Sequence, residues 1–127
     1  MLSRFVMAAS ATVLAVGVSG WVASPASAAC SSPYFCAYQN EDRSGGEYKS
    51  NGDNDTYHDG DTFANGYRLY DAISSYRNMN GTYCFVMTTG HYFTGSEWEA
   101  YPNESVNYMI GYNDVASSHF KLGPSQC

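Results

Sequence analysis

The chain has 127 residues, with twelve acidic side chains against six basic ones and 16% aromatic residues. That length provides one domain rather than two. The acidic balance excludes nucleic acid and anionic membranes as partners held through phosphate neutralisation, because both require a basic patch.

Residues 1–28 read as a secretory signal. Arg4 supplies the positive n-region, residues 5–18 the apolar h-region, and Pro25 precedes the small-residue site Ala26-Ser27-Ala28. Ser10, Thr12 and Ser19 interrupt the apolar run, which is short for a span of about 20 residues. Cleavage leaves residues 29–127, and with Arg4 gone five basic side chains face twelve acidic ones, a net charge of −7 with His neutral. The expectation is a secreted, extracellular protein with no membrane attachment once the signal is removed.

Cys30, Cys36, Cys84 and Cys127 all lie beyond the signal. An even count in a small exported domain reads as two disulfides, for which three connectivities exist. Cys30–Cys36 with Cys84–Cys127 is the favoured set: the first closes a short loop containing Pro33, and the second ties the last residue to mid-chain. A closure of that second length contributes about 4 kcal/mol in the loop-entropy account. No Cys-x-x-Cys pair occurs, and His58, His91 and His119 lack zinc-ligand spacing.

Twelve Tyr and twelve Gly, with little Leu or Ala after the signal, favour strands over helices. Tyr34-Phe35-Cys36-Ala37-Tyr38 and Tyr83-Cys84-Phe85-Val86-Met87 are strand-like runs, and Asn51-Gly52, Asn65-Gly66 and Asn80-Gly81 offer tight turns. No ten-residue amphipathic helix follows residue 29, so the fold class is all-β. From Asp53 to Asp61 the chain looks like a calcium loop, but an EF-hand would need Gly and Glu where His58 and Ala64 stand. It reads as a polar loop. Asn54, Asn80 and Asn103 begin Asn-x-Ser/Thr sequons.

A repeat organises the rest. Asp71-Ala72-Ile73-Ser74-Ser75-Tyr76 returns as Asp114-Val115-Ala116-Ser117-Ser118-His119, while Cys36 and Cys84 each sit in an aromatic run followed by Gly45 and Gly95. Two halves, about 34–78 and 83–121, are too few for a solenoid and suit two Greek keys packed as a sandwich.

The pattern Asn/Asp-Asn/Asp-x-x-Ser/Thr-Ser, once per half, resembles the Greek-key motif of the βγ-crystallins. Asn113-Asp114-Val115-Ala116-Ser117-Ser118 matches it throughout, whereas Tyr70 stands where the first half should have Asn or Asp. Tyr38 to Gly45 keeps the family's aromatic-to-glycine spacing, with Arg43 replacing a second aromatic. Phe93-Thr94-Gly95 keeps the aromatic-x-Gly ending, with no aromatic seven residues before it. The resemblance covers essentially all of 29–127 and implies a disulfide-stapled, βγ-crystallin-like β-sandwich. Within crystallin-fold proteins the chain is most similar to small secreted actinobacterial proteins grouped with a metallopeptidase inhibitor, through Cys30, Cys36, Tyr38, Gly45, Gly46, Ile73, Ser74 and Ser75. The inhibitor that characterises the group presents its reactive bond in a disulfide-closed loop of the second half, where this chain has no cysteine pair.

The resemblance also implies calcium. One site would use Asp71, the carbonyl of Ile73 or a neighbour, and Ser74. The other would use Asp114 beside Asn113, the region of Ala116, and Ser117. Each would borrow a ligand from a facing loop, from Glu41 or Asp42 and from His91 or Tyr92. Asp71 and Asp114 serve equally well as turn caps, and Ser75 and Ser118 are expected to hydrogen-bond the folded hairpin of their own half. No Gly-x-Ser-x-Gly elbow or His-Glu-x-x-His segment occurs. Glu97 and Glu99, about 7 Å apart along one strand face, are ordinary acids of an acidic protein. The chain is therefore not expected to be an enzyme. The leading expectation is a peptidase-inhibitor-like protein that presents a rigid loop to an extracellular protease. Two alternatives stand beside it: a calcium-binding structural or stress protein, and a secreted toxin or surface-recognition module using exposed tyrosines. The target protease and the oligomeric state are left open.

Overall fold

The structure, a computed structural model, describes residues 29–52, 54–57 and 60–127. The signal expected at 1–28 lies outside the described residues, as do Asp53, His58 and Asp59 of the acidic loop.

Aromatic residues alternating along the chain generate the frame. The strands are β1 (Phe35–Tyr38), β2 (Glu47–Ser50), β3 (Asp55–Thr56), β4 (Ser75–Asn78), β5 (Cys84–Gly90), β6 (Thr94–Ala100), β7 (Ser105–Val106) and β8 (Ser118–Leu122). They pair as two antiparallel sheets, β2-β1-β4-β7 and β3-β8-β5-β6. No α-helix occurs among the described residues. The molecule is an all-β sandwich of two Greek keys, with one refinement of the sequence-based picture: each sheet takes three strands from its own half and one from the other. The borrowed strands are the two-residue ones. Asp55 pairs with His119 of β8, and Val106 pairs with Tyr76 of β4.

The two-residue side-chain period of a strand decides what is buried. Phe35 and Ala37 of β1 face the core, while Cys36 and Tyr38 face the other way, against Cys30 and Met79. On the opposing sheet Phe85 and Met87 of β5 point inward. The Phe35 and Phe85 rings stack across the layers with centroids 4.9 Å apart. Tyr57, Phe63, Leu69, Ile73, Tyr76, Met109 and Ala116 complete one core spanning both halves. Each fully buried large side chain contributes about 1.5–3 kcal/mol of transfer energy, so a core poor in leucine is filled by rings.

Both disulfides follow the favoured pairing. Cys30 bonds Cys36 with 6.1 Å between Cα atoms, and Cys84 bonds Cys127 with 5.8 Å.

Candidate functional site: two facing loops at one end of the sandwich

Each long hairpin is folded by one serine. The β1–β2 connection makes a short 3-10 turn at Glu41–Arg43, and the β5–β6 connection makes one at His91–Phe93. Asp42 and Arg43, like Tyr92 and Phe93, hold positive φ of 54° to 62°. That costs side-chain-bearing residues energy unless the surroundings enforce it. The enforcing group is the second serine of each repeat. Ser75 Oγ accepts from the Arg43 N–H at 3.0 Å and donates to the Asn40 carbonyl at 2.6 Å. Ser118 Oγ accepts from the Phe93 N–H at 3.1 Å and donates to the Gly90 carbonyl at 2.8 Å. Arg43 and Phe93 therefore occupy equivalent corners, which explains why the position tolerates a non-aromatic residue: the backbone N–H is what the corner uses. The glycines that end the folds, Gly45 and Gly95, have φ of +76° and +88°. A Cβ there would come within 2.6 Å of Asn40 Nδ2 or 2.4 Å of Thr89 Oγ1.

The first serines of the repeats, with the acids before them, build the facing loops. The Asp71 N–H donates to the Ala116 carbonyl, and the Asp114 N–H donates to the Ile73 carbonyl, both at 3.0 Å. The two loops thus lie against each other in a reciprocal pair. Ser74 Oγ donates to the Gln39 carbonyl at 2.8 Å and to Asp114 Oδ1 at 3.2 Å. Ser117 Oγ donates to the Thr89 carbonyl at 2.9 Å and to Asp71 Oδ1 at 3.0 Å. The hydrogen bonds cross between halves: Asp114 meets Ser74, and Asp71 meets Ser117. The family resemblance groups each acid with the serine of its own motif, which is contiguous in the chain. The antiparallel placement of the loops exchanges the partners.

A pocket of about 220 Å³ opens beside this pair, lined by Gln39, Asn40, Tyr67, Asp71, Ala72 and Asp114. Glu41 and Asp42, expected as borrowed ligands, do not line it. The oxygens that stand beside the hydroxyls are the Gln39 and Thr89 carbonyls, backbone groups that residue identity does not announce. The His91 ring stacks on Tyr70, with centroids 4.9 Å apart and planes 2° apart. The departure of Tyr70 from the motif has this physical role, since it ties the first loop to the second hairpin. At the matching position Asn113 Nδ2 donates to Asp114 Oδ2 at 3.1 Å, and Asn113 Oδ1 is buried with no hydrogen-bond partner among the described residues.

As donors toward a cation, each loop pair offers a carboxylate, a hydroxyl and carbonyls, all oxygen. That set is hard and suits calcium in kind. Among the described residues no cluster of three or more His, Cys, Asp or Glu side chains occurs that would hold a metal by itself. Glu97 and Glu99 lie on β6, opposite Thr88 and Val86. Of the sequons, Asn80 is buried, and its side chain accepts from Thr82 and Tyr83 and donates to the Pro33 carbonyl. It is a turn-former.

A model of peptidase inhibitor family I36 matches residues 23–101. None of the curated proteins matches the chain in sequence. Among solved structures, one from work on the evolution of the eye-lens βγ-crystallin domain fold is 18% identical, covering 76% of this chain and 92% of that one, with a TM-score of 0.63. The N-terminal domain of protein S is 19% identical over 71% of this chain and 96% of that one, with a TM-score of 0.57. A βγ-crystallin domain from Clostridium beijerinckii is 16% identical over 69% and 95%, with a TM-score of 0.56. At these identities the likeness establishes the fold alone.

Proposed function

The chain belongs to peptidase inhibitor family I36, and from that premise we propose that it is a secreted inhibitor that binds an extracellular peptidase through a rigid loop surface. The observation that carries this reading is the family match, which spans the first half and about half of the second. The fold supports it, because the loops are fixed before any partner arrives. The hairpin turns are held by Ser75 and Ser118, and the facing loops by their reciprocal bonds. Groups ordered in advance lose little conformational entropy on association. Two disulfides agree with an oxidising extracellular setting. No helix among the described residues is long and apolar enough to cross a membrane. The test is a panel of thermolysin, subtilisin and trypsin with the oxidised 29–127 protein. Loss of activity of at least one enzyme is expected, and full activity of all three at micromolar excess overturns the reading.

The crossed Asp–Ser pairs favour a second property, calcium binding at the facing loops. Asp114, Ser74 and the Gln39 carbonyl would hold one ion, and Asp71, Ser117 and the Thr89 carbonyl the other, with waters completing six to eight oxygens. A bound cation would neutralise the two carboxylates and join the halves, and native-state binding raises stability by mass action. A thermal melt with calcium and then with excess chelator tests this. A rise of several degrees supports it, and an unchanged melt at millimolar calcium overturns it.

A further inference from the structure

Three Asn-Gly pairs punctuate the chain, at Asn51-Gly52, Asn65-Gly66 and Asn80-Gly81. Each carries a latent reaction, because a glycine nitrogen has no Cβ beside it to shield it and lies close to the Cγ of the preceding asparagine. Whether the two atoms meet depends on how the fold holds the amide. Asn80 is locked in the interior at 7% exposure. Its Oδ1 accepts from the Thr82 and Tyr83 N–H groups at 2.9 and 3.0 Å, and its Nδ2 donates to the Pro33 carbonyl at 3.1 Å. Asn65 is exposed, yet both reaction partners are engaged. Its Nδ2 donates to Gln39 Oε1 at 2.8 Å, its Oδ1 accepts from the Tyr67 N–H at 3.1 Å, and the Gly66 N–H donates to the Phe63 carbonyl at 2.8 Å. The Asn65 Cγ also packs on Gly46, where a Cβ would stand 2.7 Å away.

Asn51 has none of these restraints. It stands one residue past the end of β2, exposed, and its side chain makes no hydrogen bond among the described residues. Nothing lies within 4 Å of the point where a Cβ on Gly52 would stand. The Gly52 N–H donates to Ser50 Oγ at 3.3 Å, longer than an ordinary N–H···O bond.

We propose that Asn51 is a self-modifying site, at which the folded chain converts an amide into an acid with water as the only co-reactant. The Gly52 nitrogen loses its proton to hydroxide, and its electron pair forms a bond to Asn51 Cγ. The Cγ–Nδ2 bond breaks, and ammonia leaves with a proton taken from water. The cyclic imide then takes up one water and opens at either carbonyl, leaving aspartate or isoaspartate. Nothing is oxidised or reduced. The chain gains one negative charge. In the isoaspartate form it also gains one backbone methylene in the connection from β2 to β3, the strand that pairs with the other half. No enzyme is needed, so the extent of conversion records how long the folded protein has stood in water.

The experiment incubates the oxidised 29–127 protein in neutral buffer and follows acid formation at the three asparagines by peptide mass mapping. The reduced chain in urea is followed in parallel, and each folded-state rate is divided by the rate of the same asparagine in the unfolded chain. Groups held by the fold react only through local opening, so the ratio for Asn51 is expected to exceed those for Asn65 and Asn80 at least about tenfold. Gly52→Ala, which adds a Cβ into open space, is expected to slow conversion at Asn51 and leave the other two rates and the melting temperature unchanged. A ratio for Asn65 or Asn80 equal to that of Asn51 would overturn the proposal. So would an Asn51 that keeps its amide in the folded protein while the unfolded chain loses it.

Discussion

Ser75 has its hydroxyl enclosed by two backbone groups, and nothing else in the hairpin satisfies the Arg43 N–H in the same way. Ser75→Ala leaves that donor without its acceptor, which costs about 1–3 kcal/mol. The expected outcome is a lower urea midpoint at unchanged slope, and Ser118→Ala should behave alike because it serves Phe93 and Gly90 in the same manner. Tandem serines after an acid were legible in the sequence, since the motif is contiguous and each serine acts on the hairpin of its own half, 32 residues upstream at Arg43 and 25 upstream at Phe93. The acids were legible as residues but not as partners. Crossing of Asp71 to Ser117 and of Asp114 to Ser74 follows from how two loops face each other in space. If those loops bind calcium, Asp114→Ala and Asp71→Ala should each weaken one of two binding events measured by titration calorimetry, with equal binding in both variants and the parent overturning the assignment. The Gln39 and Thr89 carbonyls left no trace at all, because any residue supplies a carbonyl.

At the scale of elements, the long strands were readable and the short ones were not. β1 and β5 are aromatic runs whose alternation and burial leave little choice. β3 is Asp55–Thr56 and β7 is Ser105–Val106, two residues each, too short and too polar to carry a period. Their importance is topological, since each completes the sheet of the other half. A chain ending near residue 80 would lack β7 and the β5–β8 sheet on which its own β3 pairs. The first half made alone is expected to be unfolded by amide chemical-shift dispersion, and a dispersed spectrum would refute the interdependence. The disulfides belong to this scale too. Sequence separations of 6 and 43 imply contributions of about 2 and about 4 kcal/mol in the loop-entropy account. The Cys84→Ser/Cys127→Ser pair should therefore lower the melting temperature more than Cys30→Ser/Cys36→Ser. Equal losses would indicate that closure length is not what matters.

The whole molecule buries the tyrosines Tyr38, Tyr57 and Tyr76 in its interior, and this gives it an alkaline limit. Burial raises the Tyr38 phenol from its ordinary value of 10.0 to about 12, assisted by its hydrogen bond to Glu47. Burial pushes Tyr48, Tyr57 and Tyr76 up as well, helped at Tyr48 and Tyr76 by the neighbouring Asp55 and Glu104 carboxylates. In each case the folded state holds the proton more tightly than the unfolded chain. The stability linked to these groups is then fully present below about pH 10 and is lost as the pH rises from 10 through 12 and above. Urea unfolding across that range should show falling stability, and phenolate absorbance should report a set of tyrosines that ionise only on unfolding. A flat stability profile would contradict the burial account.

The central claim is that this rigid two-sheet domain stops a peptidase by binding it. Its most direct test is titration of thermolysin, the metallopeptidase type toward which the sequence resemblance points, with oxidised 29–127 protein. Peptidase activity should fall linearly to an end point at one molecule per enzyme, with the inhibitor chain recovered intact. Undiminished activity at micromolar excess, or steady digestion of the chain as a substrate, would contradict the account.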